Sequence, residues 1–184
     1  MNWNSLIRNL YYLIKRLYRG IEFLLRELFK PTSFMKGEDF EKCLRQKVFP
    51  QDKYDLVMKT HDFHENSQDY VESSLYPDYL FRDRKKNTEF WVEAKYREKL
   101  FEGKVVWCKP FQFKRYQHLD NNLPVIIAIG FGGRPRNPEK IFLVPLEDIK
   151  YNALFPRFLQ DFEFEGSRKN MIDGVMDKLY NYKK

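Results

Sequence analysis

Two apolar segments separated by a short polar turn constrain the fold more than any other feature of this sequence. Residues 75–98 read LYPDYLFRDRKKNTEFWVEAKYRE, and both segments have the composition and alternation of strands. If the loop consists of residues 84–87, the segments pair as a hairpin with residue 83 opposite 88 and residue 82 opposite 89. Continued along the strands, this register places Asp78 directly opposite Glu93.

Alternation also predicts which side chains share a face of this hairpin, because successive strand residues point to opposite faces. One face is apolar and would face the core: Tyr79, Phe81, Phe90, Val92 and Ala94. The other face is mixed: Asp78, Leu80, Arg82, Glu89, Trp91, Glu93 and Lys95. Two carboxylates directly opposite each other repel, so a purely structural hairpin would avoid this pair. The alternative is an exposed sheet face with salt bridges.

A divalent cation would remove the repulsion between Asp78 and Glu93. Their Cβ atoms would lie about 5 Å apart, a separation that suits Mg²⁺ (or Mn²⁺) with oxygen ligands and several retained waters. Lys95 lies two residues beyond Glu93 on the same face, where it would orient a water or stabilise the charge that develops on a phosphate. The geometry predicts metal-assisted hydrolysis of a phosphodiester.

The charge distribution favours a polyanionic partner. The 184 residues have a formal net charge of +7, and residues 82–115 contain eleven Lys or Arg against five Asp or Glu. Such a basic region suits nucleic acid, although a solvated surface would have the same composition. Two cysteines, Cys43 and Cys108, are too few for a disulfide framework, and we expect a reduced, cytoplasmic setting.

Residues 1–30 are predicted to form one amphipathic helix. Apolar residues recur at alternating spacings of four and three, the pattern of a heptad seam: Trp3, Ile7, Leu10, Ile14, Leu17, Ile21, Leu24 and Leu28. Other apolar residues widen this seam, and basic residues line the opposite face. We favour packing against a partner protein or a second copy, followed by docking within the chain. Peripheral contact with a membrane is the third alternative. The interrupting charges exclude an ordinary transmembrane span.

The rest of the chain, residues 37–184, is predicted to form one α/β domain after a break near 31–37. A helix follows Gly37, a strand covers residues 54–63, and the hairpin strands cover about 77–83 and 89–96. Pro110 opens a second helix, and residues 124–131 are typical of a buried strand. Residues 140–149 form another strand and residues 170–184 a final helix. The predicted order is helix, three strands, helix and at least one further strand.

Pro77-Asp78, fourteen intervening residues and Glu93-Ala94-Lys95 resemble the signature of the PD-(D/E)XK nuclease superfamily. The predicted element order over residues 37–145 is similar to the restriction-endonuclease-like core of that family: a helix, a three-stranded antiparallel meander, a helix and a strand. The resemblance implies a metal-dependent nuclease that acts on DNA. It also implies that Asp78, Glu93 and the Ala94 carbonyl ligate the metal, and that Lys95 serves the attacking water.

The resemblance implies roles for three further residues. Glu41 is an acid on the first core helix and would assist the site. Gln112 and Tyr116 form a Q-x-x-x-Y pattern similar to the accessory motif of the lambda-exonuclease-like branch. They would position the metal site or the substrate, although an ordinary amphipathic helix has the same spacing. Because the family includes inactive members, the alternative is a non-catalytic nucleic-acid-binding or assembly module.

Residues outside the signature are weaker candidates. Trp91 would either stack on a base or cover the sheet. Arg134 and Arg136, in a glycine-rich turn, would either contact phosphates or be solvated. His61 and His64 have H-x-x-H spacing but fall on faces that are unsuited to sharing a metal.

Overall fold

The computed structural model describes residues 3–28, 32–60 and 75–165. The chain divides into two compact units, Met1–Met35 and Lys36–Lys184. The first unit contains helix α1 (Trp3–Leu28), which lies within the helix predicted for residues 1–30. The apolar side chains of α1 that the structure describes between Leu10 and Leu25 are exposed. Among the described residues, no helix is both long enough and apolar enough to cross a membrane.

Helix α2 (Thr32–Lys47) begins earlier than predicted. We expected a helix to start after Gly37, but this glycine lies inside α2, where a Cβ would meet open space. A single glycine costs a helix only about 1 kcal/mol relative to alanine, so it does not end one by itself. The buried residues of α2 are Phe40, Cys43 and Leu44, and they pack against the sheet described next.

A five-stranded mixed sheet forms the centre of the Lys36–Lys184 unit. The described elements after α2 are β1 (Tyr54–Lys59), β2 (Tyr79–Asp83), β3 (Thr88–Arg97), β4 (Val105–Val106), α3 (Pro110–Asp120), β5 (Val125–Phe131), β6 (Lys140–Pro145), β7 (Ala153–Leu154) and α4 (Pro156–Leu159). The strand order is β1-β2-β3-β5-β6. The pairs β1–β2, β2–β3 and β5–β6 are antiparallel, and β3–β5 is parallel. A parallel pair requires a crossover connection, which here contains α3.

This order confirms the predicted fold class. Helix α2, the antiparallel meander β1–β2–β3, helix α3 and strand β5 follow one another as in a restriction-endonuclease-like core. Pro110 is the first residue of α3, as predicted. The first predicted strand is shorter than expected and ends at Lys59. Its remaining residues 61–63, both candidate histidines and the helix predicted for 170–184 lie outside the described residues.

The β2–β3 hairpin has the predicted register. Asp83 lies opposite Thr88 and Arg82 opposite Glu89, around a turn of residues 84–87. The Asp83 carboxylate accepts hydrogen bonds from the backbone N–H of Lys85 (2.8 Å) and Lys86 (3.0 Å). These bonds stabilise the turn locally, because an aspartate that accepts from the backbone two residues ahead favours a turn.

Both faces of the sheet are buried, and strand alternation separates them as predicted. On the α2 side the sheet contributes Tyr79, Phe81, Phe90, Val92, Tyr96, Ile126, Ala128, Ile141 and Leu143. On the other side, which includes Tyr116 of α3 and residues of the small β4–β7 sheet, it contributes Leu80, Trp91, Val125, Ile127, Ile129, Phe142 and Val144. The second face is therefore not the exposed, salt-bridged surface that the alternative interpretation required: Trp91 is 5% and Glu93 2% exposed.

Gly130 on β5 makes room for Phe40 of α2. A Cβ added at Gly130 would lie 2.4 Å from Cε2 of Phe40, a ring that is completely buried. We predict that Gly130→Ala destabilises the fold by about 1–3 kcal/mol, the usual cost of overpacking a core. Denaturant unfolding monitored by circular dichroism measures this change.

Gly37→Ala is the matched control for Gly130→Ala, because nothing lies within 4 Å of a Cβ at Gly37. This substitution should stabilise α2 by up to about 1 kcal/mol. If both variants had the same stability as the wild type, the close packing of Phe40 on β5 would be wrong.

Candidate active site

Asp78 and Glu93 lie together where the β2–β3 pairing ends. The last pair of the ladder is Tyr79 with Val92, and the next positions in this register are Asp78 and Glu93. The side chain of Asp78 turns toward β3, where its Oδ2 accepts a hydrogen bond from the backbone N–H of Ala94 (2.7 Å). At this point a hydrogen bond to the Asp78 side chain therefore takes the place of a backbone hydrogen bond between β2 and β3.

The position of Pro77 leaves the Ala94 carbonyl without a ladder donor from β2. In β3 the Trp91 N–H bonds toward β5, to the Pro124 carbonyl (2.7 Å), whereas the Ala94 N–H bonds toward Asp78. A residue's N–H and C=O point to the same side of a strand, so the Ala94 carbonyl also faces the Asp78 side. The residue opposite Ala94 in this register is Pro77, which has no N–H. Three oxygen-bearing groups, from Asp78, Glu93 and Ala94, therefore meet at one edge.

Strand β1 holds the Pro77-Asp78 backbone in place. The N–H of Thr60 donates to the Asp78 carbonyl (3.0 Å), and the Thr60 hydroxyl lies 3.1 Å from the Pro77 carbonyl. Thr60 directly follows β1, so all three strands of the meander contribute to the position of Asp78.

Glu93 and Lys95 form a largely buried ion pair. The Lys95 Nζ lies 2.5 Å from Glu93 Oε1, and the lysine side chain is 22% exposed. The other carboxylate oxygen, Glu93 Oε2, is buried without a well-formed hydrogen bond among the described residues. A buried carboxylate oxygen without a partner is costly, and a cation bound at this atom would reduce that cost.

Burial and mutual repulsion set the charge states here. Burial, followed by the Glu93 charge, raises the pKa of the Asp78 carboxyl to about 8, although Lys95 and the Ala94 N–H oppose the shift. For Lys95, burial alone would lower the pKa, but Glu93 and Asp78 outweigh it and hold the pKa above its usual value. The lysine therefore remains a cation at neutral pH.

Glu41 of α2 reaches the same site from the other face of the sheet. Its Oε2 accepts a hydrogen bond from the Tyr79 hydroxyl (2.7 Å) and lies 3.3 Å from the Lys59 Nζ. Its negative charge is among the causes that raise the pKa of Asp78. Glu41 is therefore within electrostatic reach of Asp78, but its carboxylate is held by Tyr79 and Lys59.

Gln112 and Tyr116 lie on α3, as the sequence pattern required, but they have different surroundings. The Gln112 Oε1 accepts a hydrogen bond from the Lys109 N–H (3.1 Å), which caps the helix N-terminus. Tyr116 is buried and faces the acidic pair. Burial, Glu93 and Asp78 all raise the pKa of its hydroxyl, which stays protonated. Tyr116 is thus placed beside the carboxylates, whereas the Gln112 amide oxygen stabilises the helix.

Two residues near the site were missed by the sequence analysis. Arg97, two positions beyond Lys95 on the same strand face, donates to the carbonyls of Val106 (2.6 Å), Trp107 (3.1 Å) and Tyr96 (2.8 Å). The alternation of β3 was the signal that could have revealed it. Arg97 ties the segment around β4 to the strand that contributes Glu93.

Cys108 is the second missed residue. Burial, followed by the charge of Glu93, raises the pKa of its thiol to about 12. The thiol therefore stays protonated near neutral pH and is unsuited to act as a nucleophile, which requires the thiolate. No sequence signal connected Cys108 with the acidic pair, because the contact depends on the tertiary fold.

The remaining candidates do not join this cluster in the described contacts. Trp91 is buried and stacks on Tyr76, with ring centroids 5.2 Å apart, so it covers the sheet. Arg136 pairs with Asp39 of α2, with Nε 2.9 Å from Oδ1. These contacts give both residues structural roles.

The donor set fits a hard divalent cation that keeps part of its water shell. Asp78 and Glu93 supply carboxylate oxygens, Glu93 Oε2 is buried without a well-formed bond, and the Ala94 carbonyl faces the same edge. In the described ranges, no group of three or more His, Cys, Asp or Glu side chains could hold a metal ion. A two-carboxylate site suits Mg²⁺, which is usually held by one or two carboxylates together with water and substrate phosphate.

Comparisons with known proteins find similarity among solved structures. No family model matches the chain, and no curated protein matches it. Among solved structures, the chain resembles Hjc, a Holliday junction resolvase from the archaeal hyperthermophile Archaeoglobus fulgidus. The TM-score is 0.49 and the sequence identity 13%, and the match covers 71% of this chain and 91% of that chain. The roles proposed below depend on this chain's own residues.

The raised pKa of Asp78 predicts a pH-dependent stability. An acid whose pKa is higher in the folded state than in the unfolded state stabilises the fold only at low pH. The metal-free protein should therefore lose stability as the pH rises from about 4, the unfolded value, toward about 8. Asp78→Asn keeps an oxygen for the Ala94 N–H and should raise stability at pH 8 by on the order of 1 kcal/mol or more. Thermal unfolding at pH 5 and pH 8 measures the difference.

Added Mg²⁺ should raise the melting temperature of the wild type, and Asp78→Asn should reduce this response, because binding to the folded state stabilises it. Asp55→Asn is the control: Asp55 is a partly exposed aspartate whose Oδ1 lies 2.6 Å from Arg84 Nη2, and this variant should keep the full response to Mg²⁺. An equal response in all three proteins would count against a cation site at Asp78.

The capping bond of Gln112 gives a separate prediction. Gln112→Ala removes the acceptor for the Lys109 N–H and should destabilise the fold by about 1 kcal/mol, whereas Gln112→Glu keeps an acceptor and should not. Denaturant unfolding compares the two variants. Unchanged stability in Gln112→Ala would show that the cap contributes nothing.

Proposed function

We propose that this chain is a metal-dependent nuclease that hydrolyses phosphodiester bonds in DNA. The observation that carries the proposal is the pair of buried carboxylates, Asp78 and Glu93, with the Lys95 ammonium beside them and one Glu93 oxygen that makes no well-formed hydrogen bond among the described residues. A structural sheet gains nothing from this arrangement, since burying like charges is unfavourable. Perturbed acids grouped around a cation are instead typical of a catalytic centre.

In this proposal Asp78, Glu93 and the Ala94 carbonyl hold Mg²⁺ or Mn²⁺. When bound, the cation would act as a Lewis acid toward the phosphate and activate water at neutral pH. The protein's own contribution is to present the three oxygens from one edge of a rigid sheet, with Asp78 fixed by the Ala94 N–H and the backbone around it fixed by Thr60.

Lys95 acts through its positive charge. Because neighbouring carboxylates hold its pKa above the usual value, it does not serve as a general base at neutral pH. Its ammonium group would donate hydrogen bonds to the attacking water or to the phosphate oxygens, where negative charge accumulates during the reaction. Glu41 would assist from α2, and Tyr116 would position the carboxylates from α3.

The described surface supports a nucleic-acid substrate. Within the basic region 82–115, Arg82 and Arg84 pair with Glu89 and Asp55. Four lysines of this region are exposed: Lys85, Lys99, Lys109 and Lys114. Of these, Lys99, Lys109 and Lys114 would bind the phosphate backbone and give a salt-dependent affinity, whereas Lys85 lies in the turn at the other end of the β2–β3 hairpin from Asp78 and Glu93. Because the Gln112 amide oxygen caps the helix, only the NH2 group of this side chain would be available to position the substrate.

Lys95→Ala tests the catalytic assignment. We expect single-turnover cleavage of labelled DNA with Mg²⁺ or Mn²⁺ to fall by about 100-fold or more, the usual effect of removing a group that stabilises the transition state. Binding of the same DNA in Ca²⁺ or EDTA should change little. A panel of supercoiled, linear, single-stranded and branched DNA, with RNA, identifies the substrate form.

Lys85→Ala is the matched control for Lys95→Ala, because Lys85 follows Asp83 with the same acid-x-Lys spacing but lies exposed in the turn. Its cleavage rate should stay within about threefold of the wild type, as for other surface charges. If Lys95→Ala cleaved at the wild-type rate, the assigned site would be wrong. If no substrate were cut but DNA were bound without metal, the chain would be the non-catalytic binding module.

A further inference from the structure

Helix α1 exposes a continuous set of large apolar side chains. Eight described residues form this apolar face, and each is about half exposed or more: Leu10, Tyr11, Leu13, Ile14, Leu17, Tyr18, Ile21 and Leu25. With 3.6 residues per turn, they cover an arc of roughly 160°. An exposed patch of this kind on a protein marks a surface that contacts something apolar.

The apolar face is too wide for the seam of a two-stranded coiled coil. Such a seam uses two positions in seven, with charged residues on either side that select the partner. Ile14 and Leu17 occupy seam positions of α1, but the flanking positions hold Tyr11, Leu13 and Tyr18. These three flanking residues are uncharged, so they form no ion pairs that would specify a partner helix.

Positive charge is concentrated on the opposite side of α1. Arg8, Lys15, Arg16 and Arg19 are exposed and lie outside the apolar arc, and Glu22 is the acidic residue among the described side chains of this helix. The Lys15 Nζ lies 5.9 Å from the centre of the Tyr11 ring, at the border of the two faces. Long basic side chains at such a border can extend toward headgroups while their stems stay in apolar surroundings.

We propose that α1 binds the surface of an anionic phospholipid bilayer and lies parallel to it. The apolar face would enter the boundary between headgroups and acyl chains, and the four basic side chains would contact the anionic headgroups. The wide apolar arc, the aromatic residues within it and the excess of positive charge complement such a surface.

Vesicle co-sedimentation of the full chain tests this proposal. The protein is mixed with vesicles of phosphatidylcholine alone or with about 30% phosphatidylserine, a charged lipid of the kind that attracts basic segments. We expect binding to the anionic vesicles, weaker binding to neutral vesicles, and a loss of affinity as the salt concentration rises. Equal binding to both kinds of vesicle would overturn the electrostatic part of the proposal.

A matched pair of variants separates the two faces of α1. Leu17→Glu and Tyr12→Glu each add one negative charge at an exposed position, with side chains 59% and 60% exposed in the wild type. Leu17 lies in the apolar face and Tyr12 outside it. Affinity for anionic vesicles should fall by about tenfold or more in Leu17→Glu, because one apolar side chain no longer inserts. The affinity of Tyr12→Glu should fall clearly less, because this substitution adds a negative charge without removing an inserted apolar side chain.

Equal losses in the two variants would overturn insertion of the apolar face and leave only general attraction of a basic protein to anionic lipid. Sedimentation velocity without lipid supplies the competing outcome. If the wild type formed a concentration-dependent oligomer that Leu17→Glu abolished, and bound no vesicle, the apolar face would be a contact between copies of this chain. A monomer that binds anionic vesicles through Leu17 supports the bilayer.

Discussion

The electrostatic repulsion between Asp78 and Glu93 is the constraint on which the site depends. Two carboxylates are held at one edge of an otherwise apolar sheet, and the chain supplies only partial compensation through Lys95 and the Ala94 N–H. The rest of the unit surrounds this edge: α2 brings Glu41, α3 brings Tyr116, and Arg97 fixes the neighbouring segment. Such uncompensated burial reduces stability, and functional sites commonly tolerate that cost.

Much of this arrangement could be predicted from local sequence, because strand alternation and turn length fix a hairpin. The pairs Asp83–Thr88 and Arg82–Glu89 followed from a four-residue turn alone. The division of side chains between the two faces followed from a period of two. Helix α1 followed from its heptad spacing, and the order of α2, the meander, α3 and β5 followed from the pattern of apolar segments.

Features that depend on tertiary contacts could not be predicted in the same way. Strands β4 and β7 have two residues each, too few for a periodic pattern, yet they help to bury the face that contains Glu93. The early start of α2 was missed because Gly37 was given too much weight as a helix breaker. The spacing of Gln112 and Tyr116 placed them on one helix, but the capping bond of Gln112 depends on its position at the helix start.

The turn at residues 84–87 has a consequence for how this chain can change during evolution. Its residues are largely exposed, so many different amino acids would be accepted at positions 84–86, whereas the positive φ of Asn87 (51°) favours asparagine or glycine there. The length of the turn is constrained, because adding or removing one residue shifts the hairpin register and exchanges the two faces of a strand. Phe90 and Val92 would then point toward α3, and Glu93 would point into the apolar layer against α2. We therefore expect related chains to differ in the amino-acid sequence of this turn and to keep its length.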